Sequence, residues 1–127
     1  MDPTLEIKPK SEARIQQEIV TWYRNQYCLA HHNPRCMIFS IPNEGRGAAS
    51  MQLIATGLYP GCADLCVIQP WWFGHTKIYP VVFFEVKRPG GIQSQHQKKF
   101  QAHCKQMTIP YHVVYSLDDF RRIVEAL

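Results

Sequence analysis

The feature that most constrains the fold of this chain is an apolar run that ends in charged residues. The stretch VVFFEVKRPGG places four bulky apolar residues, from Val81 to Phe84, directly before Glu85 and Lys87. Such a run is typical of a strand packed on both faces, because β-branched and aromatic side chains fit a pleated surface. A carboxylate buried there without a partner would cost several kcal/mol. The charges therefore indicate either a strand end that reaches solvent or a site that supplies a partner.

The pattern of the remaining chain predicts a small α/β domain. From Ser11 apolar residues recur at helical spacing, which predicts a helix over 12–27 with Ser11 as its N-cap. The order α, β, α, β, β, α, β, α predicts a mixed β-sheet flanked by helices. Trp71 to Phe73 fall between two strands, as an exposed hairpin tip or as part of the core. The predicted strands span 36–42, 63–69, 77–87 and 111–116, and the other helices span 48–58, 94–106 and 116–127.

Length and composition place this pattern in one compact domain. The chain has 127 residues and is 46% hydrophobic, which suits a single folded domain over 11–127 after a short flexible lead-in over 1–10. Its net charge of +4 permits a polyanionic partner without requiring one. Because no apolar run is long enough to cross a membrane and the first residues lack a signal peptide's apolar core, we expect a cytoplasmic protein with free cysteines.

Two predicted neighbouring strands each carry one carboxylate where their apolar character breaks. Asp64 lies in GCADLCVI and Glu85 in FFEVK. If the strands pair, both acids can face one cleft, and two close carboxylates need a cation or a shared proton to coexist. Oxygen ligands of this kind suit Mg²⁺ or Mn²⁺. Lys87 projects to the same side as Glu85 because strand side chains alternate. The competing interpretation is that Asp64 only caps a turn.

Three motifs carry a resemblance to a known family. GCADL, FFEVKRPGG and SQHQKKF, in that order and spacing, resemble the D, ExK and Q signature of the PD-(D/E)XK nucleases. The set is most similar to the virus-type replication-repair nuclease family, VRR-NUC, including its small free-standing phage and bacterial members. The likeness covers nearly the whole chain, through EARIQQEI, SIPNEGRG, GLYPGCADL and VVYSLDDFRRI. One departure is Ala63, where the family usually has a proline. The resemblance implies a restriction-endonuclease-like core.

The resemblance also implies a metal site for Mg²⁺ or Mn²⁺. Asp64 and Glu85 would bind the ion together with the backbone carbonyl of Val86. Lys87 would orient or activate the attacking water and stabilise charge on the phosphate. Gln97 matches the glutamine that borders the site in the family; its alternative is a place on a solvated helix face.

A first-helix glutamate completes the implied catalytic set. Glu12 matches that family position, and helical spacing places it within the apolar stripe, so we expect a buried acid that needs a partner. The alternatives are that Glu12 only complements the helix dipole, or that Glu18 is the site acid. Asn43, Arg46 and Arg88 are candidates for phosphate contacts, against the alternative that they are simply solvated.

The implied function is metal-dependent cleavage of branched DNA such as Holliday junctions, in a bacterial or phage-infected cell. Two opposed nicks in a four-way junction require two sites, which predicts a homodimer. The WWFG segment and the first-helix aromatics Trp22, Tyr23 and Tyr27 are candidate contact surface. One alternative is a nucleic-acid-binding module without turnover. Another is a zinc site, because four potential ligands lie close together in sequence: Cys28, His31, His32 and Cys36.

Overall fold

A computed structural model describes residues 8–29, 36–42, 48–78 and 80–127. The predicted mixed sheet flanked by helices is confirmed within these ranges. The helices are α1 (Glu12–Tyr23), α2 (Ala48–Ala55), α3 (Gln95–Gln106) and α4 (Leu117–Glu125), with a π-helical segment, Arg24–Leu29, after α1. The strands are β1 (Met37–Ser40), β2 (Leu65–Ile68), β3 (Trp71–Phe73), β4 (Thr76–Ile78), β5 (Val81–Val86) and β6 (Tyr111–Val114).

Four of the strands form one sheet in the order β1-β2-β5-β6. The first two pairings are antiparallel, whereas β5 and β6 run parallel. A parallel pair needs a crossover connection, and α3 supplies it between β5 and β6. Strand β5 is therefore an inner strand of the sheet, with β2 on one edge and β6 on the other. Such a position suits its apolar run.

The segment between β2 and β5 differs from the prediction. One strand over 77–87 was expected, but β4 ends at Ile78 and β5 begins at Val81, with Pro80 between them. Proline has no N–H to donate to a strand ladder, which accounts for the interruption. Strands β3 and β4 instead pair with each other as a separate two-stranded hairpin. Trp71 is 46% exposed and Phe73 is 72% exposed, so these two residues belong to a surface hairpin and not to the core.

One face of the sheet packs against α1 and α4. Val82, Phe84 and Val86 alternate along β5 and all point into this core. The Phe120 ring of α4 lies 4.6 Å from the Phe84 ring, between their centroids. Tyr23 of α1 is fully buried, and its hydroxyl donates a 3.0 Å hydrogen bond to Gln69 Oε1. Gln69 Nε2 in turn donates to the Val124 carbonyl. Because the buried polar groups of Tyr23 and Gln69 are hydrogen-bonded to each other and to the backbone, this face has a structural role.

The three aromatic residues that the sequence suggested as contact surface differ in burial. Tyr23 is fully buried, Tyr27 of the π-helical segment stacks on it at 4.8 Å, and Trp22 meets Phe120 edge to face at 6.2 Å. Tyr23 therefore belongs to the core, whereas Trp22 and Tyr27 are only partly buried, and a contact through them stays a prediction. The helix also ends earlier than expected, at Tyr23, and continues as the π-helical segment.

The opposite face of the sheet packs against α3. Phe100 and Cys104 of α3 form a small cluster with Ala63, and Phe83 and Tyr111 pack against it. Phe83 belongs to the odd-numbered side of β5, which also carries Glu85. One side of the sheet is therefore mainly apolar, with His112 stacked on Phe84 and a hydrogen-bonded pair of Tyr23 and Gln69 as its polar members. The other side combines an apolar cluster with a pair of carboxylates and a lysine.

Candidate metal and catalytic site

Asp64 and Glu85 lie opposite each other on neighbouring strands. Leu65 of β2 pairs with Phe84 of β5, so the antiparallel register sets Asp64, one residue earlier, against Glu85, one residue later. The ladder also continues past the end of β2, because Ile41 N–H donates a 2.9 Å hydrogen bond to the Asp64 carbonyl. Both carboxylates thus project from the α3 side of the sheet. The sequence-based expectation that they face one cleft agrees with this register.

Burial disfavours the ionised forms of both acids and raises the pKa of each carboxyl. Glu85 is 1% exposed, and this burial raises the pKa of its carboxyl, which the nearby charge of Asp64 raises further. Burial also raises the pKa of Asp64, against the opposing effect of a 2.7 Å hydrogen bond from Val86 N–H to Asp64 Oδ2. The Lys87 ammonium lowers the pKa of both acids. Such a pair is costly to keep ionised without a further cation.

Lys87 and Gln97 complete the surroundings of Glu85. Lys87 Nζ lies 3.9 Å from Glu85 Oε1, and only 11% of its side chain is exposed. Gln97 Nε2 donates a 2.7 Å hydrogen bond to the same oxygen. The Gln97 Oε1 atom accepts a 2.8 Å hydrogen bond from Ser94 N–H, as part of the capping box that begins α3. One amide therefore both starts the helix and holds the Glu85 carboxyl in place.

The donor set fits a hard divalent cation. Glu85 Oε2 is fully buried, and among the described residues it has no hydrogen-bond donor other than a proton shared with the neighbouring Asp64 carboxyl. A buried carboxylate oxygen without a further donor is costly, and Mg²⁺ or Mn²⁺ could bind to it. Within the described ranges no three His, Cys, Asp or Glu side chains come together as a metal-binding group. Two carboxylates supplemented by a backbone carbonyl and water suit Mg²⁺ better than Zn²⁺.

In the first helix, the carboxylate of Glu12 influences the site through its charge. Glu12 is exposed, so the expectation of a buried acid is wrong: its place in the first turn of α1 leaves it open to solvent. Its negative charge nevertheless raises the pKa of both Asp64 and Glu85. Glu18, the alternative first-helix acid, forms an ion pair with Lys10 at 2.9 Å. Of these two acids, Glu12 is therefore the one whose charge acts on the carboxylate pair.

A tight glycine turn fixes the approach to Asp64. Gly61 has φ +78, a conformation that residues with a Cβ rarely adopt. A Cβ added there would lie 2.2 Å from the backbone carbon of His96 and 2.5 Å from Gln97 N. The turn before Asp64 therefore rests directly on the first turn of α3. This contact ties the position of Asp64 to that of Gln97.

The remaining predicted residues are an exposed arginine and four positions outside the described residues. Arg88 follows Lys87 and is exposed. Asn43 and Arg46 lie outside the described residues. The zinc alternative also rests partly on His31 and His32, which lie outside them too.

Sequence reasoning missed one hydroxyl beside the site. Tyr111 begins β6 and pairs with Phe83, so it projects from the same side of the sheet as Glu85. Burial raises its pKa, and the charges of Glu85 and Asp64 raise it further. Its hydroxyl accepts a 3.1 Å hydrogen bond from Gln93 Nε2. The only signal for this placement is the parallel register of β5 and β6, which sequence alone does not provide.

The order and direction of the strands, with the crossover through α3, define a mixed α/β architecture that also occurs in a solved protein. Comparison with solved structures finds the same architecture in a "VRR_NUC domain protein", with a TM-score of 0.70 and 15% sequence identity. The match covers 93% of this chain and 88% of that chain. No family model and no curated protein matches the sequence. The resemblance inferred from the motifs is thus confirmed as a shared fold. Among the described residues, no helix has the length and apolar character that a membrane crossing requires.

Proposed function

We propose that this protein is a metal-dependent endonuclease that hydrolyses phosphodiester bonds in DNA. The observation that carries this proposal is the Glu85 carboxyl, which is fully buried beside Asp64 and Lys87. A structural residue at the end of a core strand would be apolar, because burying this group lowers stability. Retaining such a costly group is typical of a site whose function requires it.

Each residue has a role that follows from its contacts. Asp64 and Glu85, with the Val86 carbonyl, would hold Mg²⁺ or Mn²⁺. Such an ion, when bound, polarises a phosphoryl oxygen and lowers the pKa of a coordinated water. Lys87 would place its ammonium against the phosphate or the attacking water, since its Nζ already points towards the carboxylate pair. Gln97 would act as a positioning residue through its hydrogen bond to Glu85.

We propose the kind of DNA substrate and the oligomeric state from the family resemblance. Branched DNA such as a four-way junction is the proposed substrate, and a homodimer would provide one site for each of two opposed strands. The β3–β4 hairpin, with Trp71 and Phe73 exposed, is one exposed apolar surface for such a contact. Glu12 and Arg88 are proposed to face the DNA beside the metal.

The test is a cleavage assay with linear, flapped and four-way junction DNA in Mg²⁺, Mn²⁺ or EDTA. We expect cleavage with either metal, none with EDTA, and a loss of at least ~10³-fold in Glu85→Gln, which removes a metal ligand. Asp64→Ala and Lys87→Ala should behave alike. Paired incision of the junction by the wild-type protein would support the dimer.

A matched control is Glu125→Gln, the same change at a surface position of α4. It should cleave as the wild-type protein does, and it shows that any loss in Glu85→Gln is specific to the site. Full cleavage by Glu85→Gln would sink the proposal. Binding of DNA by the wild-type protein without cleavage in either metal would instead favour the non-catalytic binding module.

A further inference from the structure

The distribution of charge along the chain is uneven in the part that follows the site. From Val86 to Leu117 the sequence contains none of the ten Asp and Glu residues. The same stretch contains five Lys or Arg residues, which are Lys87, Arg88, Lys98, Lys99 and Lys105. Lys87 belongs to the site and Arg88 is already proposed to face the DNA, but the other three lysines have no place in the proposed function. All three lie in α3.

The cations of α3 lie on its solvent side. Phe100 and Cys104 form the buried side of this helix, whereas Lys98, Lys99 and Lys105 are exposed. Lys98 and Lys105 are seven residues apart, so they project in similar directions about 10 Å from each other along the axis. The helix contains no acidic residue that could pair with them at the i+3 or i+4 position.

These lysines also have no ion pair elsewhere in the described part of the chain. The helix α4 is a useful contrast, because Arg121 pairs with Glu125 at 3.4 Å and Arg122 pairs with Asp119 at 2.6 Å. Cations that the protein leaves without partners raise the local positive potential, which attracts anions. The two helices thus differ in whether their charge is already neutralised.

The position of α3 connects this charge to the site. Its first turn carries Gln97, whose amide contacts Glu85. Arg88 is a further exposed cation, and it follows Lys87 of the site directly in sequence. A polyanion lying along α3 would therefore reach the candidate metal site at the start of the helix.

The composition of this surface favours a nucleic acid over a protein. Protein interfaces usually bury an apolar or aromatic centre, whereas protein–DNA interfaces are polar and strongly positive. The large hydrophobic residues with high exposure include none between Gln95 and Gln106. Lysine ammonium groups on flexible stems suit contacts with phosphate oxygens.

We infer that the solvent side of α3, formed by Lys98, Lys99 and Lys105, binds the phosphate backbone of double-stranded DNA next to the bond that is cut. This inference rests on the proposed function, since it takes the DNA as the substrate of the site at the start of α3. The contacts are with phosphates, so they position the duplex and do not read its sequence.

The test measures binding of a fluorescent DNA duplex in EDTA, which separates binding from cleavage. The full-length triple variant Lys98→Gln, Lys99→Gln, Lys105→Gln is compared with the wild-type protein between 50 and 200 mM NaCl. Each lost phosphate contact should reduce the salt slope of log K by about 0.9, or about 2.7 for three, and affinity at 50 mM should fall at least ~10-fold. The charge-preserving Lys→Arg triple variant should keep the wild-type slope.

The matched control is Arg121→Gln, Arg122→Gln on α4, which removes exposed cations that are already paired. It should change the slope far less per cation. An unchanged slope in the α3 triple variant, or an equal effect per cation from the two helices, would overturn the inference. The inference would also be overturned if the α3 triple variant lost binding to polyglutamate, an acidic polypeptide, but kept its binding to the duplex.

The outcome is separable from that of the proposed function. If the wild-type protein cleaves DNA in Mg²⁺ and the α3 variant binds and cleaves equally well, only the α3 inference fails. If the wild-type protein does not cleave but the α3 variant loses duplex binding, the nuclease proposal fails and the DNA-binding surface stands.

Discussion

The two faces of the central sheet use the same strand in opposite ways. On the α1 and α4 side, Val82, Phe84 and Val86 of β5 are buried in an apolar core. On the α3 side, the same strand presents Glu85, fully buried and only partly hydrogen-bonded. The apolar residues on the α1 and α4 side contribute stability, whereas the buried carboxyl on the α3 side lowers it. Alternation along a single strand therefore separates the structural role from the proposed chemical role.

The largest expected effect is on the apolar face. Phe120→Ala removes a fully buried ring that packs against Phe84 and Tyr23, and it should lower the free energy of unfolding by about 3–5 kcal/mol. Denaturant unfolding followed by circular dichroism measures this change. Phe73→Ala in the exposed hairpin is the control and should cost far less, since that ring is 72% exposed. Equal losses for the two variants would contradict the division between core and surface.

The next effect concerns the contact that holds the site face together. Gly61→Ala should cost about 2–4 kcal/mol, because it combines an unfavourable φ with a Cβ placed against the backbone of His96. Gly74→Ala is the matched control: Gly74 has φ +62 but nothing within 4 Å of an added Cβ. It should cost only about 1–2 kcal/mol. If both variants lose the same stability, the close approach of the turn to α3 has no energetic weight.

The smallest expected effect is a gain in stability on the α3 side of the sheet, opposite in sign to the losses above. Glu85→Gln should raise the free energy of unfolding in EDTA by about 1 kcal/mol, since it replaces a buried acid with a neutral amide. Mg²⁺ at tenfold its Kd should stabilise the wild-type protein by about 1.4 kcal/mol and leave Glu85→Gln unchanged. Thermal unfolding with and without Mg²⁺ measures both changes. A destabilised Glu85→Gln protein in EDTA would mean that Glu85 has a structural role after all.

The strand periods and the paired carboxylates were within reach of sequence reasoning, because both depend on local order. The apolar run of β5 and the break at Asp64 predicted two strands, and an antiparallel register brings their acids together. The helix that carries Gln97 was predicted over 94–106 and is observed as Gln95–Gln106. The strands and the helix need only neighbouring residues and simple periodicity, whereas the pairing of the two strands was a condition of the prediction that the register now supplies.

The features that sequence reasoning missed depend on contacts between distant segments. Tyr111 reaches the site only through the parallel register of β6. The burial of Trp22 depends on where α4 docks, because Phe120 packs against it. Glu12 falls within the apolar stripe of α1, yet its place in the first turn leaves it exposed. Periodicity identifies the side of a helix, but it does not show how far the neighbouring elements extend.

The crossover through α3 also has a consequence for how the chain folds. The pairs of β2 with β5 join residues 13 to 19 positions apart, whereas the pairs of β6 with β5 join residues 28 positions apart and enclose α3 in the connection. Non-local parallel pairing forms slowly, because the loop entropy is lost before the contacts are gained. The two carboxylates would thus come together early, and the amide of Gln97 would join them late. In a nascent chain, the site would be completed only as the last third of the sequence folds.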